Sequence, residues 1–281
     1  MKNRLMSTRG AAVSLAILLA VLVLSTAACG SDEVAGAPTT TAVGATDEPQ
    51  ELLVAAAASL KSAFTELGEA FDAANNVATT FTFDASGSLQ VQIEAGAPVD
   101  VFASAAWKQV NNLLEKDLVD EASTAVFASN EMVLGVPADS SLAITSFEDL
   151  VEDEVKKITT ADPQTAPQGK ASMEVLTALG ITDAVQPKLI YSKNASQTLT
   201  YVQEGEVDVG IMYATDAVAG GDKVKVVAVS EPGWHSEIAY VMATVNACKK
   251  KTLAQTFTDF VLGPEGQEIL SKYGFVPPPA G

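Results

Sequence analysis

The stretch LLVAAAASLKSAFTEL, residues 52–67, decides the fold class. Residues 52–57 form a short apolar run that is typical of a buried strand, whereas residues 60–67 carry apolar side chains at helical spacing. Ser59 lies at the change of pattern, and its hydroxyl is of the type that caps a helix N-terminus. A strand followed directly by a helix indicates an α/β protein.

The same strand-to-helix change recurs further along the chain. The predicted strands are 78–83, 158–160 and 189–191, and the helical patterns after them begin near Leu89, Ala171 and Asn194. Gln197 follows Asn194 at the spacing of a capping box. Residues 207–213 alternate as a strand that ends at Tyr213, and ligands of open α/β sheets bind at such carboxyl ends. Alternating strands and helices predict parallel sheets covered by helices.

The first residues indicate export. Lys2, Arg4 and Arg9 precede an apolar run at 11–24 that ends in small residues before Cys29. A membrane helix needs about 20 apolar residues, so this shorter run favours a removable signal peptide over residues 1–28. An uncleaved N-terminal anchor is the alternative, and both interpretations place the body outside the cytoplasm.

Residues 24–29 resemble a bacterial lipobox, with Thr26 where leucine is more common. The resemblance implies a lipid on Cys29 and attachment to the extracytoplasmic face of the cell membrane. Cys248 is then a lone thiol, although a disulfide between these two cysteines is the competing interpretation. Residues 29–50 are rich in Gly, Ala, Thr, Ser and Pro and lack aromatic residues, which predicts a disordered tether.

Charge and motifs exclude several functions. The net charge is −18, and loss of the three signal-peptide bases leaves 14 basic against 35 acidic residues, or −21. Nucleic-acid binding requires a basic stripe that this chain lacks. No Gly-x-Ser-x-Gly elbow, Walker loop or His-Glu-x-x-His motif occurs, and His235 lies in a predicted turn, so we expect no enzyme. Cys248 has no Cys or His companion, which excludes a structural zinc site.

The predicted helix N-termini favour a different chemistry. Each offers unpaired N–H groups and the positive end of a helix dipole, so several of them together can bind an anion. A single Ser or Asn at such a position is more often an ordinary cap. The negative net charge does not prevent anion binding, because charges beyond a Debye length of about 8 Å are largely screened.

Most of the body, from Glu51 to Val276, resembles the bacterial periplasmic molybdate-binding proteins. The segments that carry the resemblance are 55–60 (AAAASL), 92–104 (QIEAGAPVDVFAS), 162–163 (DP), 210–217 (GIMYATDA), 263–266 (GPEG) and 273–275 (YGF). The resemblance implies the type II periplasmic-binding-protein fold, a monomer of two α/β lobes with the ligand in the cleft. Lobe 1 would comprise 51–129 plus 231–281 and lobe 2 would comprise 130–230, joined by crossing segments near Asn130 and Ser230.

The resemblance also implies the ligand and its contacts. The ligand would be molybdate or tungstate, delivered to the permease of an ABC importer, with molybdenum present only as the oxyanion and no cofactor. Position by position, the contacts fall on hydroxyl and backbone groups of Ser59 and Ser86, backbone N–H groups of Gln168 and Ala195, and the hydroxyl of Tyr213. The family often has a small residue in place of Gln168 and valine in place of Ala195.

A pocket of neutral donors suits a fully deprotonated tetrahedral dianion, because hydrogen phosphate would leave its proton unpaired at a cost of about 1 to 3 kcal/mol. We expect Asp84 and Asp162 to face away or to hold loop N–H groups. A receptor for sulfate or another tetrahedral oxyanion remains an alternative. So does a sensor or interaction lipoprotein that shares the fold without transport.

Overall fold

The computed structural model describes residues 48–277. The signal peptide, Cys29 and nearly all of the tether lie outside the described residues. The strands are β1 Gln50–Ala57, β2 Val77–Asp84, β3 Val101–Ser104, β4 Ala125–Asn130, β5 Met132–Pro137, β6 Ile158–Ala161, β7 Leu189–Ser192, β8 Val209–Tyr213, β9 Val224–Val229 and β10 Ile238–Thr244. The helices are α1 Lys61–Asn75, α2 Ser86–Glu94, α3 Trp107–Leu114, α4 Pro167–Ala178, α5 Thr182–Val185, α6 Ala195–Gln203, α7 Ala214–Gly220, α8 Lys251–Leu262 and α9 Pro264–Lys272.

The strand and helix predicted from residues 52–67 are both present, as β1 and α1. Between them, Ala58–Leu60 form a 3-10 turn, so α1 begins at Lys61 with no side-chain cap. Ser59 lies inside this turn, and its hydroxyl hydrogen-bonds the Tyr240 hydroxyl at 2.9 Å instead. Ser59 is therefore not a helix cap, because the additional turn separates it from the start of α1.

Two five-stranded sheets form the body, in the orders β2-β1-β3-β10-β4 and β7-β6-β8-β5-β9. We call them the first and second sheet. The predicted parallel pairing holds for β1 with β2 and β3 and for β6 with β7 and β8. It is wrong for β10, which runs antiparallel to β3 and β4, and for β5, which runs antiparallel to β8 and β9. A helical crossover makes neighbouring strands parallel, but β5 and β10 enter their sheets without a helix directly before them.

The first sheet is built from two separate parts of the chain. Its strands come before and after the segment Met132–Val229 in the sequence, and that segment supplies all strands of the second sheet. The chain passes between sheets at Glu131 and again at 230–237. This is the two-sheet α/β architecture of the type II binding-protein fold. The lobe boundaries at 130 and 230 stay a proposal, which this strand order supports.

Phenylalanines dominate the core beside the first sheet. Phe257 of α8 is fully buried, and its ring centroid lies 5.2 Å from that of Phe71, 6.2 Å from that of Phe64 and 6.4 Å from that of Phe81. Edge-on and tilted ring pairs of this kind add to the stability that the buried area provides. The cluster fixes α1 and α8 against β2.

Within residues 48–277, no helix is long and apolar enough to cross a membrane.

Candidate functional site

A small cavity lies where residues following strands of both sheets meet. Its volume is about 10 Å³, close to the space that a single water molecule needs. The lining residues are Ala57, Ala58, Ser59, Asp84, Ala85, Ser86, Ala105, Ala166, Pro167, Gln168, Ala195 and Tyr213. All five residues predicted from the sequence are among them. Their role as ligand contacts stays a prediction.

Tyr213 ends β8, and its side chain is only 1% exposed. Its hydroxyl has no hydrogen-bond partner within the described residues, an arrangement that costs about 1 to 3 kcal/mol. Burial raises the pKa of this phenol well above its ordinary value, so the hydroxyl keeps its proton at neutral pH. Tyr213 therefore offers the cavity an unused hydrogen-bond donor.

Ser86 is the first residue of α2 and is 1% exposed. Its Oγ accepts a hydrogen bond from the Ala105 N–H at 3.0 Å, and among residues 48–277 this is the one partner of the hydroxyl. The Ser86 proton thus remains available to an acceptor in the cavity. Ser59 is less free, because its hydroxyl is paired with Tyr240, which also accepts from Asn130 Nδ2 at 3.1 Å.

Two helices of the second sheet begin at the cavity and supply backbone donors. Gln168 is the second residue of α4, directly after Pro167, and Ala195 is the first residue of α6. N–H groups in a first helical turn have no acceptor within their own helix, and the helix dipole is positive there. Asn194 caps α6 by accepting from the Gln197 N–H at 3.1 Å, whereas the Gln197 side chain accepts from the Lys193 N–H.

The Gln168 side chain, the departure from the family pattern, is tied into the protein. Its Nε2 donates to Asp216 at 2.6 Å, and its Oε1 accepts from the Thr198 hydroxyl at 3.0 Å. These bonds connect the start of α4 to α7 and α6. The backbone N–H of Gln168 and that of Ala195 are therefore held in one arrangement by buried side chains.

Asp84 lines the cavity, so it does not face away, but its oxygens are occupied. Oδ1 accepts from the Ala85 N–H at 2.8 Å and from Asn194 Nδ2 at 2.9 Å, and Oδ2 pairs with Lys193 Nζ at 3.0 Å. Burial alone would raise the pKa of Asp84, yet these hydrogen bonds outweigh it and hold the pKa below its ordinary value. Asp162 accepts from the Gln164 N–H. Both aspartates hold loop N–H groups, as predicted.

The cavity therefore presents two hydroxyl protons and first-turn N–H groups, while the carboxylate of Asp84 is already engaged by Ala85, Asn194 and Lys193. Residues 52–276 match the family model of bacterial extracellular solute-binding proteins. The chain belongs to this family. The resemblance to molybdate-binding proteins that was inferred from the sequence is confirmed by individual relatives.

Two relatives are molybdate-binding proteins. The protein from Mycobacterium tuberculosis is 33% identical over 268 residues, covering 95% of this chain and 98% of the relative. The protein from Escherichia coli K12 is 32% identical over 231 residues, covering 80% and 88%. A solved substrate-binding domain from Clostridium difficile, proposed to serve a molybdenum ABC transporter, is 39% identical with a TM-score of 0.64, covering 81% of this chain and 99% of that domain.

Some residues around the site of this solute-binding protein were not identified from the sequence. Tyr240 and Asp216 support Ser59 and Gln168 from distant parts of the chain, and no local pattern marks such long-range partners. His235 lies away from the cavity, where it bonds Ser230 and the Ser236 carbonyl. Within residues 48–277, no group of three or more His, Cys, Asp or Glu side chains is placed to hold a metal ion.

Asp216 is 3% exposed, and burial raises its pKa from 3.8 to about 7 against the smaller lowering by the Tyr213 N–H and Gln168. Below pH 3.8 the carboxyl is protonated in both the folded and the unfolded protein. As the pH rises through 3.8 to about 7, the unfolded state ionises first, so this group lowers the free energy of unfolding, by about 4 kcal/mol once the pH exceeds the folded pKa.

We therefore expect Asp216→Asn to remove that loss, because the amide has no charge to desolvate and its oxygen can still accept from Gln168. The measurement is the free energy of unfolding by urea at several pH values between about 4 and 8. The difference between variant and parent should grow by several kcal/mol across this range. Asp222→Asn, at an exposed position, serves as the control, and parallel pH curves for Asp216→Asn would contradict the assignment.

Proposed function

We propose that this solute-binding protein captures molybdate, with tungstate as an equal ligand, and delivers it to an ABC importer without catalysing a reaction. The relatives that bind molybdate support the choice of ligand. The donors at the cavity support a small anion independently of any relative. Tungstate is nearly the same size and charge as molybdate, so neutral donors do not separate the two.

The observation that carries the proposal is the unpartnered hydroxyl of Tyr213, buried at the cavity that Ser86, with its spare proton, also lines. The two residues belong to different sheets, and an acceptor bound in the cavity would satisfy both hydroxyls. Three of the roughly four acceptor positions of the Asp84 carboxylate are used, so little acceptor capacity remains for a proton on the ligand. Hydrogen phosphate would lose about 1 to 3 kcal/mol through its unpaired proton, whereas a full dianion would not.

Calorimetric titration of the purified protein with molybdate, tungstate, sulfate and phosphate tests this proposal. We expect micromolar or tighter binding of the first two ions and much weaker binding of the others. Sulfate is also a full dianion, so its rejection must come from its smaller size. Sulfate that competes with molybdate at equal concentration would instead assign the protein to sulfate-type oxyanions, and no binding of any oxyanion would overturn the proposal.

Single removal of the two hydroxyls is expected to weaken molybdate binding. Ser86→Ala and Tyr213→Phe should each cost about 1 to 3 kcal/mol in binding, the usual contribution of a hydrogen bond to a charged group. Tyr213→Phe should also leave the ligand-free protein as stable or more stable, since it removes an unsatisfied buried hydroxyl. Tyr191→Phe, at a 40% exposed tyrosine, is the matched control. Unchanged affinity in both site variants would refute the assignment of these contacts.

The same proposal includes the location of the protein. Export by residues 1–28, a lipid on Cys29 and a monomeric body outside the cytoplasm are consistent with membership in a family of extracellular proteins. A mass measurement of the mature N-terminus decides between a lipidated cysteine and an uncleaved anchor. Deletion of the gene for this protein should abolish molybdate uptake at low molybdate concentration if the protein delivers its ligand to an importer, whereas loss of a sensor lipoprotein would leave uptake intact.

A further inference from the structure

Polar contacts bridge the two sheets beside the cavity. Asp84, at the end of β2 in the first sheet, contacts two residues that follow β7 of the second sheet: Asn194 through Nδ2 at 2.9 Å and Lys193 through Nζ at 3.0 Å. We call the contact among Asp84, Lys193 and Asn194 the clasp. It joins residues 110 positions apart in the sequence, so it exists only while the two sheets are close together.

The strength of the clasp is divided unevenly between its two bonds. The Asp84 side chain is 10% exposed, whereas that of Lys193 is 67% exposed. A pair with one solvated partner contributes little, about 0 to 1 kcal/mol. The Asn194 amide donates to the same largely buried carboxylate, and a hydrogen bond to a charged group contributes more. Asn194 is therefore the partner on which the clasp depends.

Asp84 and Asn194 also bond backbone N–H groups next to two donors of the cavity. Asp84 accepts from the Ala85 N–H, directly before Ser86. Asn194 caps α6 through its Oδ1, directly before Ala195. The clasp thus couples the position of a donor from the first sheet to the position of a donor from the second.

Two further hydrogen bonds connect the parts of the chain that carry the two sheets beside the cavity. The Gly87 N–H donates to the Thr165 carbonyl at 2.8 Å, and a Cβ on Gly87 would lie 2.5 Å from that oxygen. The Ser196 hydroxyl donates to the Ala58 carbonyl at 3.0 Å. The backbones of the two sheets therefore approach closely around the cavity, and the clasp is the one charged contact among these three.

We propose that the clasp is a positioning device that keeps the cleft closed over the bound anion, so that release requires the Asp84–Asn194 bond to break. This inference rests on the proposed function, because the anion is the ligand of that same cavity. Asp84 acts through its neighbours and contributes no hydrogen bond to the ligand, since its oxygens are already occupied.

The test exchanges the carboxylate of Asp84 and the amide of Asn194. Asn194→Asp keeps a good helix cap for α6 but opposes two carboxylates, so we expect the Kd for molybdate to rise about tenfold or more, mainly through faster release. Asp84→Asn keeps the amide oxygen for Ala85 and Asn194 and should change the Kd by about threefold or less. The double variant restores one amide and one carboxylate, and its Kd should return to within about threefold of the parent.

Stopped-flow release of molybdate and small-angle scattering, with and without molybdate, are measured for all variants. We expect a larger radius of gyration for Asn194→Asp than for the parent and its reversal in the double variant. Glu204→Gln, which removes an exposed pair with Lys223, is the matched control and should behave as the parent. Equal release rates and radii in all variants, or no rescue by the double exchange, would overturn the clasp. A parent protein that binds no oxyanion would overturn the proposed function, and the radii would still test the clasp.

Discussion

Gly169→Ala is expected to weaken anion binding about a hundredfold or more and to lower the free energy of unfolding by about 3 kcal/mol, because backbone atoms cannot move aside to relieve the overpacking. A Cβ on Gly169 would overlap the Ala161 carbonyl oxygen and lie 2.7 Å from both the Ala161 carbonyl carbon and the Pro163 nitrogen. None of these atoms can rotate away. The start of α4 would have to move from β6, and the Gln168 N–H and its side-chain bonds would move with it.

Calorimetry and urea unfolding of Gly169→Ala check this expectation, and we expect the Kd for molybdate to rise by about a hundredfold or more, since a misplaced turn loses several contacts together. Thr177→Ala is the control, because Thr177 is exposed near the other end of the same helix. Its affinity should be unchanged. A Gly169→Ala protein with parental affinity and stability would show that α4 is not confined by the loop after β6.

Truncation of Phe257 is expected to have the largest effect on stability alone, about 3 to 5 kcal/mol in the free energy of unfolding. The ring is fully buried and packs against Phe64, Phe71 and Phe81. None of these residues lines the cavity, so Phe257→Ala should leave the Kd for molybdate within about twofold of the parent at temperatures where the protein stays folded.

Urea unfolding and calorimetry at low temperature separate the two effects of Phe257→Ala. Phe260→Ala is the matched control on the same helix, because Phe260 is only partly buried and packs mainly against Phe71. It should lose clearly less stability. If both variants lose the same amount, the cluster around Phe257 is not the centre of the core; if Phe257→Ala alone loses affinity, the core and the cavity are coupled.

The strands and helices that carry the cavity could be predicted because their patterns are local. The apolar run before Ser59 and the strand that ends at Tyr213 lie where the sequence places them, whereas α2 begins at Ser86, ahead of the start predicted near Leu89. Strand direction could not be predicted in the same way. The antiparallel entry of β5 and β10 depends on partners far along the chain, and a sheet can accept such a strand in either direction.

The five candidate residues were predicted from the strand-to-helix changes and from the family resemblance, and in the structure all five line one cavity. The residues that hydrogen-bond to them were not predicted. Tyr240 beside Ser59 and Asp216 behind Gln168 are separated from them by 181 and 48 residues. Single-sequence patterns contain no signal for such pairs.

Residues 52–67, with the later strand-to-helix changes, were sufficient to predict an α/β protein, because backbone periodicity and helix termini depend on neighbours within a few positions. The tertiary structure decided which donors are free. Among residues 48–277 the Tyr213 hydroxyl lacks a partner, whereas Ser59 is paired with Tyr240 and Asp84 is hydrogen-bonded by Asn194 and ion-paired with Lys193. Those states depend on burial and on groups brought together from opposite sheets, and hydrogen bonds of that kind exist only once the chain has folded.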